Sequence, residues 1–170
     1  DWQGNGQLVM VNTATMQETR RFNPTNGFIF PHGVTSNAAF DTFFVTAQYG
    51  NVVYRFSPSG GSIKQISIDG NTPTFAPGTR DPHEIMMTPD FSKYFLTCEA
   101  SDEVRVMDAY ADTLIHVFNL GIKPQEIAMS RKLPYAFITC MEDMSPFPKA
   151  RGSVYVLNYK TMEIVKRLDG

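Results

Sequence analysis

The sequence predicts an all-β protein, a partial β-propeller of four-stranded antiparallel blades with about three and a half blades in this chain. Two observations predict this fold. The chain repeats itself with a period of about 42 residues, and each repeat contains four short segments rich in Val, Ile, Phe, Tyr and Thr. No long stretch shows the apolar period of a helix. Repeats of this length with four strands each are typical of propeller blades.

Three proline-led segments mark the start of successive repeats, at Pro31, Pro82 and Pro124. In each copy a Phe-x-Thr segment follows 13 residues after the proline, beginning at Phe44, Phe95 and Phe137. The prolines are 51 and 42 residues apart, so one repeat carries an insertion. We letter the strands of a blade A to D from the central channel outward. Full blades are then expected at about 31–68, 82–120 and 124–168, whereas 7–22 supply only strands C and D of a first blade.

A ring that does not close leaves sheet faces exposed to water. Either this chain is one half of a longer polypeptide whose remaining blades complete a seven-bladed ring, or two copies assemble into one. The remaining blades or a second copy are therefore expected partners. The first four residues, Asp1 to Gly4, lack the features of a signal peptide, so either a leader has been removed or the chain is a piece of a longer one.

Composition limits the class of protein further. Hydrophobic residues make up 42% of the chain and its formal net charge is −2, which is typical of a globular domain and not of a disordered one. No apolar run is long enough for a membrane span. The balanced charge offers no basic surface for nucleic acid. Cys98 and Cys140 fall at equivalent positions of two repeats, and we expect two buried free thiols.

The blade at 82–120 carries the clearest family resemblance. Residues 94–97 read Tyr-Phe-Leu-Thr, 104–108 read Val-Arg-Val-Met-Asp, and 88–90 read Thr-Pro-Asp at the turn between strands A and B. Thr113, Val117, Gly121 and Pro124 follow at matching places. These units resemble YVTN-repeat β-propellers, also called YncE-like or surface-layer-type propellers. The resemblance implies a seven-bladed protein outside the cytoplasm (periplasmic, at the cell surface or secreted) and often without catalysis.

A second, narrower resemblance lies in the Pro-His pairs at 31–32 and 82–83. They are similar to the start of strand A in lactonase-type propellers, which implies a hydrolase site at the channel mouth. That type of enzyme draws acidic, His and Arg residues from several blades, and only the His positions match here.

The channel mouth is the first candidate site. His32, His83 and Gln125 each follow a strand-A proline, so all three are expected to ring the channel. Together with Glu84 and Glu126, the imidazoles could hold a divalent metal or orient a polar ligand. Alternatively, each side chain bonds the backbone of the neighbouring blade and fixes the inner ring.

The second candidate site is the rim on which the long connections emerge. In an antiparallel meander, the connections 23–30, 69–81 and 141–151 all fall on one side, which we call the long-loop rim. Its apolar residues either contact a protein partner or fold back and seal the blade ends. The expected contact residues are Phe28, Phe30, Phe75, Arg80, Met144, Phe147 and Arg151.

No catalytic motif is found in the sequence: there is no nucleophile elbow, no phosphate-binding glycine loop and no zinc-protease motif. The Thr residues that recur in strand B, Thr46, Thr97 and Thr139, are interpreted as strand-pairing residues because no base accompanies them. We therefore expect a non-catalytic propeller that binds a protein through the long-loop rim. The alternative is a lactonase-like or other hydrolase, and the only cofactor considered is a divalent metal at the channel mouth.

Overall fold

The fold is all-β throughout the part of the chain that the computed structural model describes, residues 6–23, 27–142 and 151–170. These residues form fourteen strands, each five to seven residues long. In chain order they are β1 (Leu8–Asn12), β2 (Gln17–Phe22), β3 (Pro31–Ser36), β4 (Phe43–Ala47), β5 (Val52–Phe56), β6 (Ile63–Ser67), β7 (Pro82–Met87), β8 (Lys93–Cys98), β9 (Glu103–Asp108), β10 (Leu114–Asn119), β11 (Pro124–Met129), β12 (Tyr135–Cys140), β13 (Ser153–Asn158) and β14 (Glu163–Asp169).

The strands form one two-stranded and three four-stranded sheets, all antiparallel and all in chain order. Blade 1 is β1–β2, blade 2 is β3–β6, blade 3 is β7–β10 and blade 4 is β11–β14. The predicted fold class, a partial propeller of four-stranded antiparallel blades, is confirmed. Strand A of each full blade begins at its proline, as the repeat predicted.

The hydrophobic core lies between blades. One cluster joins blades 2 and 3 and includes Phe44, Val53, Ile85, Tyr94 and Leu96, all at most 1% exposed. A second cluster joins blades 3 and 4, and a third joins blades 1 and 2. Strands β8 and β9 are buried along nearly their whole length because apolar blade neighbours cover both of their faces. Packing of blade against blade is therefore the main source of stability.

The innermost strands are neighbours in space: β3 contacts β7, and β7 contacts β11. Strand β14, at the outer edge of blade 4, is exposed throughout. Its Lys166 and Arg167 put charge on that edge, which hinders pairing with another chain. No helix in the described ranges is long and apolar enough to cross a lipid bilayer.

Candidate functional site

The strand registers define two rims. Pro31 pairs with Ala47 and Val52 pairs with Ser67, so strand A starts, strand B ends, strand C starts and strand D ends on the same side. Blades 3 and 4 have the same arrangement. The strand ends that flank the connections 23–30, 68–81 and 141–152 therefore all lie on the long-loop rim. The opposite side, the short-turn rim, carries the turns 37–42, 57–62, 88–92 and 109–113.

The first residues of the inner strands meet at the channel mouth, on the long-loop rim. The rings of His32 and His83 lie 4.2 Å apart between centroids, tilted by 40°. Nδ1 of His32 lies 3.2 Å from the backbone oxygen of His83, a distance at which a protonated Nδ1 donates a hydrogen bond. The Gln125 amide instead donates to the Glu99 carboxylate, at 2.8 Å. Equivalent positions thus make different contacts, and the two imidazoles form a pair.

A threonine in strand B joins each inner strand to the next. The Thr46 hydroxyl donates to the His83 carbonyl at 2.8 Å, and the Thr97 hydroxyl donates to the Gln125 carbonyl at 2.6 Å. Each hydroxyl also accepts a hydrogen bond from its own blade, from the Gly33 and Glu84 N–H groups. These residues therefore bond blade to blade, a role that the interpretation as strand-pairing residues did not include. Their recurrence at one repeat position was the sequence feature that pointed to a structural task.

The carboxylates predicted beside the imidazoles do not complete a metal site. Glu84 Oε1 accepts a hydrogen bond from the N–H of Ile85 in its own strand, at 3.0 Å, and Glu126 is exposed. Across the described ranges, no group of three or more His, Cys, Asp and Glu side chains is placed to hold a metal ion. What the structure brings together at the mouth is the pair of imidazoles, with the carboxylates around it.

Burial lowers the pKa of His83, and the neighbouring His32 lowers it further. The carboxylates of Glu99, Glu126 and Glu84 act in the opposite direction but do not cancel the effect of burial. His83 is therefore neutral at physiological pH. A neutral imidazole can accept a proton, or a hydrogen bond from a polar ligand. His83 could therefore act as a base or bind a ligand at the channel mouth.

The residue before each strand-A proline has an unusual backbone. Phe30, Asp81 and Lys123 have φ values of 51°, 55° and 50°, in the left-handed region that L-residues avoid. Their carbonyls accept equivalent hydrogen bonds at 2.8, 3.0 and 3.3 Å from the residue that follows strand B. The same junction therefore leads each of these three D-to-A connections into its inner strand.

The long connection 68–81 is held down by buried polar groups. The Asn51 side chain is buried, donates to Asp69 Oδ1 at 2.9 Å and accepts from the Thr74 N–H at 2.8 Å. The Asp81 carboxylate accepts from the N–H groups of Gly50 and Gly78, at 3.0 and 2.8 Å. Only glycine fits at position 50, where φ is 102° and a Cβ atom would lie 1.9 Å from the Thr74 oxygen. These buried hydrogen bonds therefore hold the loop 68–81 in place against blade 2.

Arg80, expected as a partner contact, is largely engaged by the protein itself. Its guanidinium lies 3.7 Å from the Asp69 carboxylate and 3.5 Å from that of Glu103. Glu103 also accepts a 2.6 Å hydrogen bond from Arg105, which in turn donates to the Ile68 carbonyl. Arg80 therefore ties the loop to blade 3, and its side chain is 31% exposed.

The position of Phe28 differs from its expected role as a partner contact on the long-loop rim. As a contact residue for a partner it was expected to be accessible, but the alternative of folding back over the blade end is the one observed: Phe28 is fully buried, with its ring 4.6 Å from that of Tyr54 and 5.4 Å from that of Phe22. The chain before blade 2 folds back, so Phe28 seals the end of the sheet. The Tyr54 hydroxyl fixes this segment by donating to the Ile29 carbonyl at 2.8 Å, and burial raises the pKa of Tyr54 to about 12.

Phe30 and Phe75 remain at the rim end of blade 2, each half-buried. Phe30 packs edge-on against Tyr49 at 5.0 Å, and Phe75 stacks on Tyr54 at 6.2 Å. Arg151 is exposed on the same rim. Met144 and Phe147 lie outside the described residues.

The short-turn rim carries a crevice that sequence reasoning missed. It has a volume of about 220 Å³ between blades 2 and 3 and is lined by Phe44, Arg55, Phe91 and Tyr110, among others. Next to it, Phe40 is 71% exposed with φ at 55°, and Phe91 has φ at 58°. The sequence feature that could have shown this is the phenylalanine that recurs at one repeat position, Phe40 and Phe91, in the turns between strands A and B.

No protein-family profile matches this chain. No curated protein sequence matches it either.

Several solved structures are similar in fold. Hydrazine synthase of Kuenenia stuttgartiensis is 20% identical with a TM-score of 0.65, over 81% of this chain and 35% of that one. A functionally unknown protein from Desulfotomaculum acetoxidans DSM 771 is 15% identical with a TM-score of 0.64, over 95% of this chain and 48% of that one. The dihydro-heme d1 dehydrogenase NirN, in complex with DHE, is 14% identical with a TM-score of 0.66, over 95% of this chain and 32% of that one.

These similarities support the β-propeller fold, since hydrazine synthase and NirN are propeller proteins. The chain spans between 32% and 48% of the length of these three solved chains. At 14% to 20% identity, the likeness concerns the fold alone.

Proposed function

We propose that this chain is part of a YVTN-repeat-type β-propeller that acts as a non-catalytic, extracytoplasmic protein-binding module through its long-loop rim. The observation that carries the proposal is an aromatic patch, Phe30, Tyr49 and Phe75, at the rim end of blade 2. All three residues are half-buried, so each keeps some accessible surface. Partly exposed aromatic residues on a rigid base are typical anchors of protein interfaces.

The backbone of Phe30 supports a contact role. At the equivalent positions, the Asp81 carboxylate accepts hydrogen bonds from two N–H groups, and Lys123 is a half-buried polar residue. Phe30 has the same left-handed φ but no polar group to stabilise the loop. A bulky residue in this conformation costs about 1–2 kcal/mol. Phe40 has nearly the same φ, so the feature that distinguishes Phe30 is its contact with Tyr49 on the long-loop rim, where a bound partner would offset this cost.

The rest of the rim suits a docking surface. The loop 68–81 is held by Asn51 and Asp81, so binding would order few additional residues. The charged Arg80 lies in the same loop as Phe75, and charged groups of this kind form the polar rim of many interfaces. The location outside the cytoplasm follows from the family resemblance.

The test is capture of partners from an extract of the source organism by the native polypeptide and two variants. Phe30→Asn removes the aromatic ring, and asparagine tolerates the left-handed backbone. The matched control is Phe40→Asn, which makes the same change at nearly the same φ on the short-turn rim. We expect a partner that Phe30→Asn loses and Phe40→Asn retains. Equal capture by both variants would refute rim binding.

A hydrolase at the channel mouth is the second candidate, favoured by the half-buried, neutral His83 in contact with His32. The test is turnover of a lactone panel by the native polypeptide and by the variant His83→Gln. Glutamine is chosen because it is the residue at the equivalent position 125. Turnover that His83→Gln abolishes would favour the enzyme. No turnover by the native polypeptide would remove this candidate.

A further inference from the structure

Strand β10 forms the outer edge of blade 3 and differs from the other outer strands in composition. It reads Leu-Ile-His-Val-Phe-Asn, so it contains no Asp, Glu, Lys, Arg or Pro. Each of the other outer strands in the described structure, β2, β6 and β14, carries at least one charged side chain. Leu114 and Ile115 are each 41% exposed, and beyond a bulge at Ile115 the pairing with β9 is regular over 116–119. An outer edge without charge or proline lacks two features that prevent pairing with another chain.

The free backbone groups of β10 follow from its register with β9. The N–H of Leu120, just beyond the strand, donates to the Asp102 carbonyl at 3.0 Å. In an antiparallel pair, the residues that bond the neighbouring strand alternate with residues that do not. Phe118 therefore bonds β9, whereas the N–H and C=O groups of Val117 and Asn119 point away from it. Because β10 is the last strand of its sheet, the described chain supplies no strand to pair with these groups.

Val117 stands at a position where the other outer strands have polar residues. It pairs with Arg105 in the neighbouring strand. The residues with the equivalent pairing in the other blades are Arg21, Gln65 and Arg167. Among the described blades, only blade 3 therefore has an apolar side chain beside these outward-pointing backbone groups.

A groove beside this edge has room for an added strand. It has a volume of about 650 Å³, lies between β10 and β14, and is lined by residues 116–119 and 162–165. On the β14 side, Ile164 and Val165 are 47% and 52% exposed. A strand paired with β10 would direct the side chains of alternate residues towards this groove. It would therefore bury an apolar side chain at every second position.

The charges beside the groove favour a partner with acidic residues. Lys160 and Lys166 flank the lining segment 162–165 and are exposed. Neither lysine belongs to an ion pair formed among the described residues. Glu163 is the acidic residue of the lining, and its carboxylate already accepts a hydrogen bond from Thr161 at 2.8 Å. An acidic residue at each end of an incoming strand would complement the two lysines.

We propose that the outer edge of β10 binds an extended segment of another protein, which adds a fifth strand to blade 3. The segment pairs its backbone with Val117 and Asn119, places apolar side chains against Ile164 and Val165, and carries acidic residues at its ends. This surface lies on the outer side of blade 3 and not on the long-loop rim. The inference therefore does not depend on the proposed function.

The first test is binding of a synthetic peptide to the native polypeptide, measured by isothermal titration calorimetry. The probe, Asp-Val-Thr-Val-Thr-Val-Asp, has apolar residues at alternate positions and an acid at each end. Its control is the same peptide methylated on its internal backbone nitrogens, which keeps every side chain but removes the strand-pairing donors. We expect the probe to bind and the methylated form to bind at least about tenfold more weakly, because two or more hydrogen bonds are lost. No binding of the probe, or equal binding of both peptides, would overturn the proposal.

Proline substitutions locate the site. Val117→Pro removes an N–H that points away from β9, so the blade keeps its own hydrogen bonds. The matched control is Gln65→Pro, the same change at the equivalent position of β6. We expect Val117→Pro to lose the probe and Gln65→Pro to retain it, with melting temperatures that change equally. If Val117→Pro fails to fold, Asn119→Pro makes the same test one bonding position further along.

Equal binding of the probe by Val117→Pro and Gln65→Pro would contradict the assignment to β10. A second copy of the chain is the alternative occupant of this edge. A dimer of the native polypeptide in sedimentation, dissociated by Val117→Pro, would overturn the proposal in favour of pairing between two copies.

Discussion

The hydroxyl of Thr97 donates a 2.6 Å hydrogen bond to the backbone carbonyl of Gln125, the second residue of the next inner strand. The same hydroxyl accepts from the N–H of Glu84 in its own blade, at 3.0 Å. One side chain therefore satisfies two backbone groups in two neighbouring sheets. In the described sheets, no backbone hydrogen bonds pair the A strands of successive blades. This side-chain hydrogen bond therefore helps to hold neighbouring inner strands together.

Thr97→Val should lower the free energy of unfolding by about 2 kcal/mol, because it leaves two buried backbone groups unpaired at nearly constant volume. Thr97→Ser, which keeps the hydroxyl, should lose much less. Urea denaturation of the two variants measures the difference. If valine and serine were equally destabilising, packing and not the hydrogen bond would be responsible.

Asn51→Ala should detach the loop 68–81 without unfolding the blades. The substitution removes the acceptor of the Thr74 N–H and the donor to Asp69, at a cost of about 1–3 kcal/mol. We expect faster hydrogen exchange and protease cleavage in 68–81 while exchange in β8 and β9 stays slow. Asn119→Ala, at an exposed position of β10, is the control. Unchanged exchange in the loop would contradict the anchoring role.

The lowered pKa of His83 predicts a pH dependence of stability. Below the ordinary histidine pKa of 6.5 the unfolded chain binds a proton that the folded protein resists. The free energy of unfolding should therefore fall as the pH drops through that value, and His83→Gln should flatten the decline. Denaturation curves recorded at several pH values on both sides of it measure this effect. Superimposable pH profiles of the two proteins would exclude His83 as the source.

Phe40→Gly should raise the free energy of unfolding by up to about 1 kcal/mol, because glycine relieves the left-handed backbone and Phe40 packs little. Its ring is 71% exposed at a φ of 55°. Phe91→Gly at the equivalent position should instead destabilise by about 1–2 kcal/mol, since Phe91 packs on the core between blades 2 and 3. Thermal melts of both variants decide. Destabilisation by Phe40→Gly would show that the exposed ring supports the fold.

Both thiols should be unreactive in the native protein. Cys98 lies in the core between blades 2 and 3 and Cys140 in the core between blades 3 and 4, both unpaired. Burial raises the pKa of both, that of Cys140 to about 11, and the thiolate is the reactive form. Mass spectrometry after alkylation should find two labels in denaturant and none in buffer. Rapid labelling of either thiol under native conditions would contradict this burial.

The strand order was predictable from the sequence because short-range features determine it. Prolines begin the inner strands, turn residues separate the strands, and Phe-x-Thr recurs at a constant offset from each proline. The blade packing then follows from strands that are buried on both faces between neighbouring blades, as β8 and β9 are.

Long-range contacts were not predictable in the same way. The burial of Phe28 depends on Phe22 of β2 and on Tyr54 and Phe56 of β5, two strands of different blades. The bond from Thr97 to Gln125 depends on how two blades are placed, and sequence spacing says nothing about that placement. The pair of His32 and His83 was expected at the channel mouth, but its contact distance required coordinates.

The junction before each inner-strand proline has a consequence for how the protein can be altered. The connections that end at Phe30, Asp81 and Lys123 differ greatly in length. Each nevertheless leads into its inner strand with nearly the same φ and the same hydrogen bond to the carbonyl before the proline. The length of a connection before this junction therefore does not change the register of the sheet that follows it. Sequence changes in the loop 68–81 that keep Asp69, Thr74 and Gly78, the partners of Asn51 and Asp81, should therefore leave the central strands in place.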